Sequence, residues 1–217
     1  MVDMLEQSRL VNEVARSLVA VAPEGWTALH YRTFMVRGQQ QARLMFDLPE
    51  GPKGVFENNE TMAYMRELRS AMYTPGKGTF FTAYFDITAA DGAVQTRFEY
   101  DEEPDFWVGY YSWARDFEAF PRDAQHTPEW LRQSVALGPL EEVGYALFAK
   151  MPGEDGIIEG EPLPDNLGLL LVRASRGGGK LFIAYDKSLM FSPPAESVEQ
   201  GLERFRAGDR WEPTPAE

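Results

Sequence analysis

The chain contains no cysteine. A disulfide framework and thiolate chemistry are therefore excluded. It has two histidines, His30 and His126, too few for a histidine-based metal site unless several carboxylates join them. There is no run of 18 apolar residues, so no membrane span is expected. The opening stretch "MVDMLEQSRLVNEVARSLVAVAPEGW" is interrupted by Asp3, Glu6, Arg9, Glu13 and Arg16, unlike a signal peptide. These absences point to a cytoplasmic protein without a cofactor.

Basic residues are also scarce. Lys and Arg number 21 against 34 Asp and Glu, a net charge of −13. Such a surface repels nucleic-acid phosphates and anionic lipid and attracts basic proteins. It also keeps a protein soluble, whatever else it does. The 217 residues, 44% of them hydrophobic, can bury a sizeable core.

Residues 3–20 carry Met4, Val11, Val14, Leu18 and Val21 at helical spacing, and Pro23 and Gly25 close the segment. Residues 27–36 and 40–48 read as a hairpin about Arg37-Gly38, followed by a turn-rich loop "LPEGPKG". A second helix is expected after Asn59 as N-cap, with Met62, Met65, Leu68 and Met72 on one face. Two strands joined by Asp91-Gly92 follow. Phe81, Ala83, Phe85 and Ile87 share a face in the first, and Val94, Thr96, Phe98 and Tyr100 in the second. "TPEWL" at 127–131 reads as a helix start, with Thr127 as cap. Beyond Gly138-Pro139 the character changes. Residues 151–166, rich in glycine, proline and acids, read as a loop, and "LGLLLVRAS" and "KLFIAYD" as strands joined by "RGGG". A last helix starts near Ser197 with Leu202 and Phe205 inward, and the tail "WEPTPAE" is expected to fray. Hairpins dominate the connections. The expectation is an α+β fold, a mainly antiparallel sheet with helices packed on it. Residues 1–138 form its core and 139–217 a strand-strand-helix extension on the same unit.

Several motifs fail on inspection. "SRGGGK" leads into a strand, whereas a phosphate loop must lead into a helix, and "TPGKGT" lacks the spacing of a nucleotide loop. Asp101, Glu103 and Asp105 share the spacing of a calcium loop, but Phe106 and Ser112 stand where glycine and glutamate are required. No tight divalent site is expected. No serine elbow and no evident pair of carboxylates facing across a cleft is present, so the chain is read as a non-enzyme.

The remaining feature is "RFEYDEEPDFW". Alternation turns Phe98 and Tyr100 inward, and Pro104 must end the strand. Asp101, Glu102, Glu103 and Asp105 then fall on an exposed loop, followed by the aromatics Trp107, Tyr110 and Trp113. Acids after a strand are often only a solvated turn, and aromatics are mostly core. Loops held by a rigid scaffold also commonly carry function.

The series "VAPEGWTALHYRT" and "MRELRSAMYTPGKGTFFTAYFDITAADGAVQTRFEYDEEPDFW" resembles the YezG-like bacterial immunity proteins. These are antitoxins of polymorphic secreted toxin systems. The likeness lies in a first helix ending before Trp26, a hairpin, a second helix, and a strand pair ending in Phe98-Glu99-Tyr100-Asp101. "DFEAFPRDAQHTPEWL" and, more weakly, "DKSLMFSPPAESVEQGLERFRAGDR" are similar to segments of actinobacterial immunity proteins. The resemblance covers residues 1–135, and the simplest members are shorter. It implies a non-catalytic α+β protein that neutralises a toxin, without identifying which one. Enzymes acting on nucleic acids or anionic dinucleotides carry basic sites, so the acidic loop points to a nuclease or NAD-glycohydrolase toxin. Asp101, Glu102, Glu103 and Asp105 would steer the basic toxin, and Trp107, Tyr110 and Trp113 would anchor it. A non-immunity binding module or regulator, and a carboxylate-dependent hydrolase, are the alternative readings.

Overall fold

The computed structural model describes residues 4–151, 156–175 and 178–211. The chain forms two compact units, one of residues 1–107 with 116–129, the other of 108–115 with 130–217. The expected partition at residue 138 differs from this one. The helix α4 (Glu129–Phe148) runs straight through Gly138 and Pro139. Proline costs that helix one backbone hydrogen bond. Gly138 lets it approach residues 108–115 so closely that an added Cβ would stand 2.4 Å from the Ala114 Cβ.

In the first unit, α1 (Met4–Val19) is followed by β1 (Ala28–Val36), β2 (Gln39–Asp47) and the short β3 (Lys53–Val55). Then come α2 (Asn59–Ala71), β4 (Thr82–Thr88) and β5 (Val94–Glu99). The strands form one antiparallel sheet of order β3-β2-β1-β4-β5. Leu10, Val14 and Leu18 of α1 and Met65 and Leu68 of α2 close over Leu29, Tyr31, Leu44, Phe46, Ala83 and Phe85. Alternation predicted this inner face correctly for β4, whose Phe85 and Ile87 are buried along with Phe81 just before it. It holds only partly in β5. Phe98 and Tyr100 reach the core, but Val94 and Thr96 are exposed because the helices leave the start of this edge strand uncovered. The α2 cap is Asn58, one residue before the expected one. Its side chain accepts from Thr61 N at 2.8 Å while its Nδ2 donates to Ser17 O at 3.2 Å. The tie to α1 selects between the two neighbouring asparagines.

The second unit contains the start of α3 (Tyr110–Ala119), nearly all of α4, and β6 (Ile157–Pro162), β7 (Gly168–Ala174), β8 (Lys180–Ala184) and β9 (Leu189–Ser192). These strands form an antiparallel sheet in sequence order, and α5 (Val198–Arg206) completes the unit. Both sheet faces are buried. Leu169, Leu171, Leu181 and Ile183 meet Leu137, Leu140 and Phe148 of α4, while Leu170, Phe182 and Met190 meet Phe205 of α5. That explains the unbroken apolar run "LGLLLV", since a strand covered on two sides has no solvent face. Two strands of this unit were not anticipated, as β3 of the first was not. β6 lies in the acidic stretch read as a loop, and as an edge strand it tolerates Glu159, Glu161 and Pro162. β9 is only four residues long. The expected capping of α5 is present: Ser197 Oγ accepts from Gln200 N at 3.2 Å and Gln200 Oε1 accepts from Ser197 N at 3.1 Å. Trp211 bridges Leu189, and the rest of the tail expected to fray lies outside the described residues.

Gly168 has φ of +136°, and a Cβ there would sit 1.9 Å from the Ile183 carbonyl oxygen. Gly168→Ala is therefore expected to destabilise the second unit by about 2 kcal/mol or more, through backbone strain plus overlap. Urea unfolding checks this, and a change under about 0.5 kcal/mol contradicts it.

Candidate functional site

The acidic loop, residues 101–107, is tied down near both ends. Its first residue, Asp101, accepts from Arg122 Nη1 at 3.1 Å. The Arg122 side chain is only 2% exposed. Its guanidinium also donates to Thr79 O at 2.6 Å and lies 4.7 Å from the centre of the Phe81 ring. Burial pushes the Arg122 pKa down, and the Asp101 carboxylate opposes that shift. Further along, Asp105 takes a bidentate pair from Arg32 of β1 at 2.9 and 3.0 Å. This hydrogen bonding holds its carboxyl below the ordinary range. Next to it, the Phe106 ring stands edge-on to Phe34, with centroids 4.2 Å apart.

Two of the four acids thus have cationic partners. Glu102 and Glu103, at the apex, are exposed and make no ion pair among the described residues. Trp107 is 59% exposed, unusual for a residue of that size. Tyr110 and Trp113 belong to the other unit. Tyr110 is half-buried against the α4 core, and Trp113 is 5% exposed with its ring edge-on to Trp130 at 5.0 Å. The expectation that Trp113 offers a surface anchor is therefore corrected. The helical turn of α3 aims this ring at the start of α4, where burial gains more than exposure would.

The first unit is held behind the loop by a group that sequence reasoning missed. Arg69 of α2 and Asp116 form a doubly hydrogen-bonded ion pair at 2.7 and 2.8 Å, with side chains 5% and 4% exposed. Arg69 Nε donates to Phe80 O at 2.8 Å, and Asp116 Oδ1 also accepts from the Arg37 backbone N–H at 2.7 Å. The signal was faint but present: Arg69 falls on the same helical stripe as Met62, Met65 and Met72. Glu141, fully buried in the second unit, accepts from Tyr111 N at 2.6 Å at the start of α3. Burial pushes its carboxyl up.

His30 points away from the core, as expected for a strand histidine flanked by inward neighbours. Its Nδ1 lies 2.6 Å from Asp86 Oδ1 and its Nε2 lies 3.4 Å from Asp47 Oδ2. His126 lies in a short 3-10 turn, Ala124–His126, with Nδ1 3.1 Å from Gly76 O. Among the described residues no cluster of three or more His, Asp or Glu side chains is arranged to hold a metal ion. Among them, too, no helix is long and apolar enough to cross a membrane. No known protein family matches the chain, and no curated protein matches it significantly.

Two outcomes are expected of these charge clusters. Asp116→Ala leaves a buried guanidinium uncompensated and is expected to cost about 3–5 kcal/mol in chemical denaturation, more than the double change Arg69→Met/Asp116→Leu. A single-variant cost under about 1 kcal/mol contradicts this. The second concerns pH. Asp86, with Asp47 beside it, raises the His30 pKa above its ordinary value. The resulting stabilisation is complete below about pH 6.5, the unfolded value, and is lost as pH rises through the folded one. His30→Gln should flatten that part of the stability profile. An NMR titration placing the His30 pKa at or below the unfolded value would contradict it.

Proposed function

We propose that this chain is a cytoplasmic, non-catalytic immunity protein. It binds a basic cognate toxin domain and occludes its active site. The observation that carries the reading is the acidic loop itself. Arg122, Arg32 and Phe34 hold residues 101–107 in place, and Glu102, Glu103 and Trp107 are exposed. A loop fixed beforehand loses little conformational entropy on binding. Charge of −13 steers a basic partner and raises its association rate. A toxin that cleaves nucleic acid or an NAD-type dinucleotide recognises anionic substrate, and carboxylates at the loop apex would compete for the same cations.

The four acids then have two roles. Glu102 and Glu103 meet the partner. Asp101 and Asp105 keep the loop in shape, and they contribute to the field at longer range. Trp107 supplies the apolar anchor, in place of the buried Trp113.

Stopped-flow binding to the toxin domain encoded beside this chain tests the reading. Glu102→Lys/Glu103→Lys is expected to slow association about tenfold at low ionic strength, with the difference shrinking near 1 M salt, where screening acts over about 3 Å. Trp107→Ala is expected to speed dissociation by about tenfold or more with association little changed. Equal association of the lysine variant and the parent at low salt would sink the steering role. The absence of any toxin gene nearby would sink the immunity reading.

A further inference from the structure

The tip of the β1–β2 hairpin, α2, and the end of α3 line a pocket of about 370 Å³ in the first unit. Its lining includes three arginines, Arg37, Arg66 and Arg69, and no Asp or Glu. In a protein of net charge −13, that is a local reversal of sign. Arg37 and Arg66 are exposed and make no ion pair among the described residues. Arg69 is anchored by Asp116, which also receives the Arg37 backbone N–H, so the wall carrying two of the arginines is rigid. Glu57, within electrostatic reach of Arg66, is already engaged by the Tyr31 hydroxyl.

The rest of the lining constrains the ligand further. Met35, Val36 and Phe120 supply an apolar surface. Gln40 also lines the pocket; its Nε2 donates to Glu57 Oε1 at 3.5 Å, while its Oε1 is buried with no hydrogen-bond partner. The volume lies within the range of small-molecule sites, about 300–1,000 Å³. Arginine matches phosphate oxygens with paired, directional N–H groups.

We propose that this pocket binds a small phosphomonoester, its phosphate between Arg37 and Arg66 and its body against Val36 and Phe120. The size and chemistry fit a nucleoside monophosphate. This site is separate from the acidic loop and does not depend on the immunity reading.

Calorimetric titration of the full chain tests it with adenosine 5′-monophosphate, adenosine, phenyl phosphate and benzoate. Both phosphate esters should bind with millimolar or tighter affinity, and adenosine and benzoate at least tenfold more weakly. Arg37→Ala and Arg66→Ala should each weaken phosphate-ester binding about tenfold without moving the thermal midpoint, since both side chains are exposed. Benzoate binding as tightly as phenyl phosphate overturns the phosphate assignment. No binding of either ester, or binding indifferent to both arginine changes, overturns the site.

Discussion

The first unit is organised by the ion pair of Arg69 and Asp116. Taking these two charges out of water costs several kcal/mol each, which their attraction and shared hydrogen bonds must offset. The pair is not a source of surplus stability. Its value lies in what it joins. One guanidinium and one carboxylate connect α2, the chain entering β4, the β1–β2 hairpin tip and the second half of α3. Phe81 and Phe120 contact the cation and keep water away, with ring centres 5.8 and 4.7 Å from the guanidinium carbon. Any slip in one of these segments would strand a charge, so the arrangement is specific where an apolar contact would be forgiving.

Among the described residues, Arg69, Arg122, Arg173 and Lys180 are basic residues drawn inside. Arg122 is buried under the acidic loop, and Arg32 stacks on Tyr84 while gripping Asp105. In the second unit Arg173 donates to Phe148 O at 3.1 Å and Lys180 to Pro193 O at 3.1 Å. Each basic residue drawn into the structure leaves the surface more negative. The acidity that favours a basic partner is thus partly a result of how the fold holds itself together. In the pocket beside the hairpin tip, Arg37 and Arg66 face outward.

The two sheets solve burial differently, and their sequences show it. The first sheet is covered by helices on one side, so its strands alternate and its outer face carries His30, Arg32, Tyr84 and Arg97. The second is covered on both sides, so β7 and β8 are almost wholly apolar. Its edge strand β6 is charged and ends in proline, which discourages further pairing.

Local chemistry was readable from residues alone. Periodicity located α1, α2 and α5, and alternation oriented β4. Turn residues placed the β1–β2 and β4–β5 hairpins, and Pro104 required β5 to end before it. These are short-range effects: sterics of φ and ψ, hydrogen-bond spacing, and the face an apolar residue must choose. Only the tertiary structure decided which long-range partners met. It set Asn58 over Asn59 as a cap by contact with Ser17, and made a strand of residues 157–162 by offering β7 as a neighbour. It paired Asp101 with Arg122 and Asp105 with Arg32, leaving Glu102 and Glu103 exposed, and it buried Trp113 against Trp130. A carboxylate's availability depends on cations up to 73 positions away in the chain, and no local pattern encodes that distance.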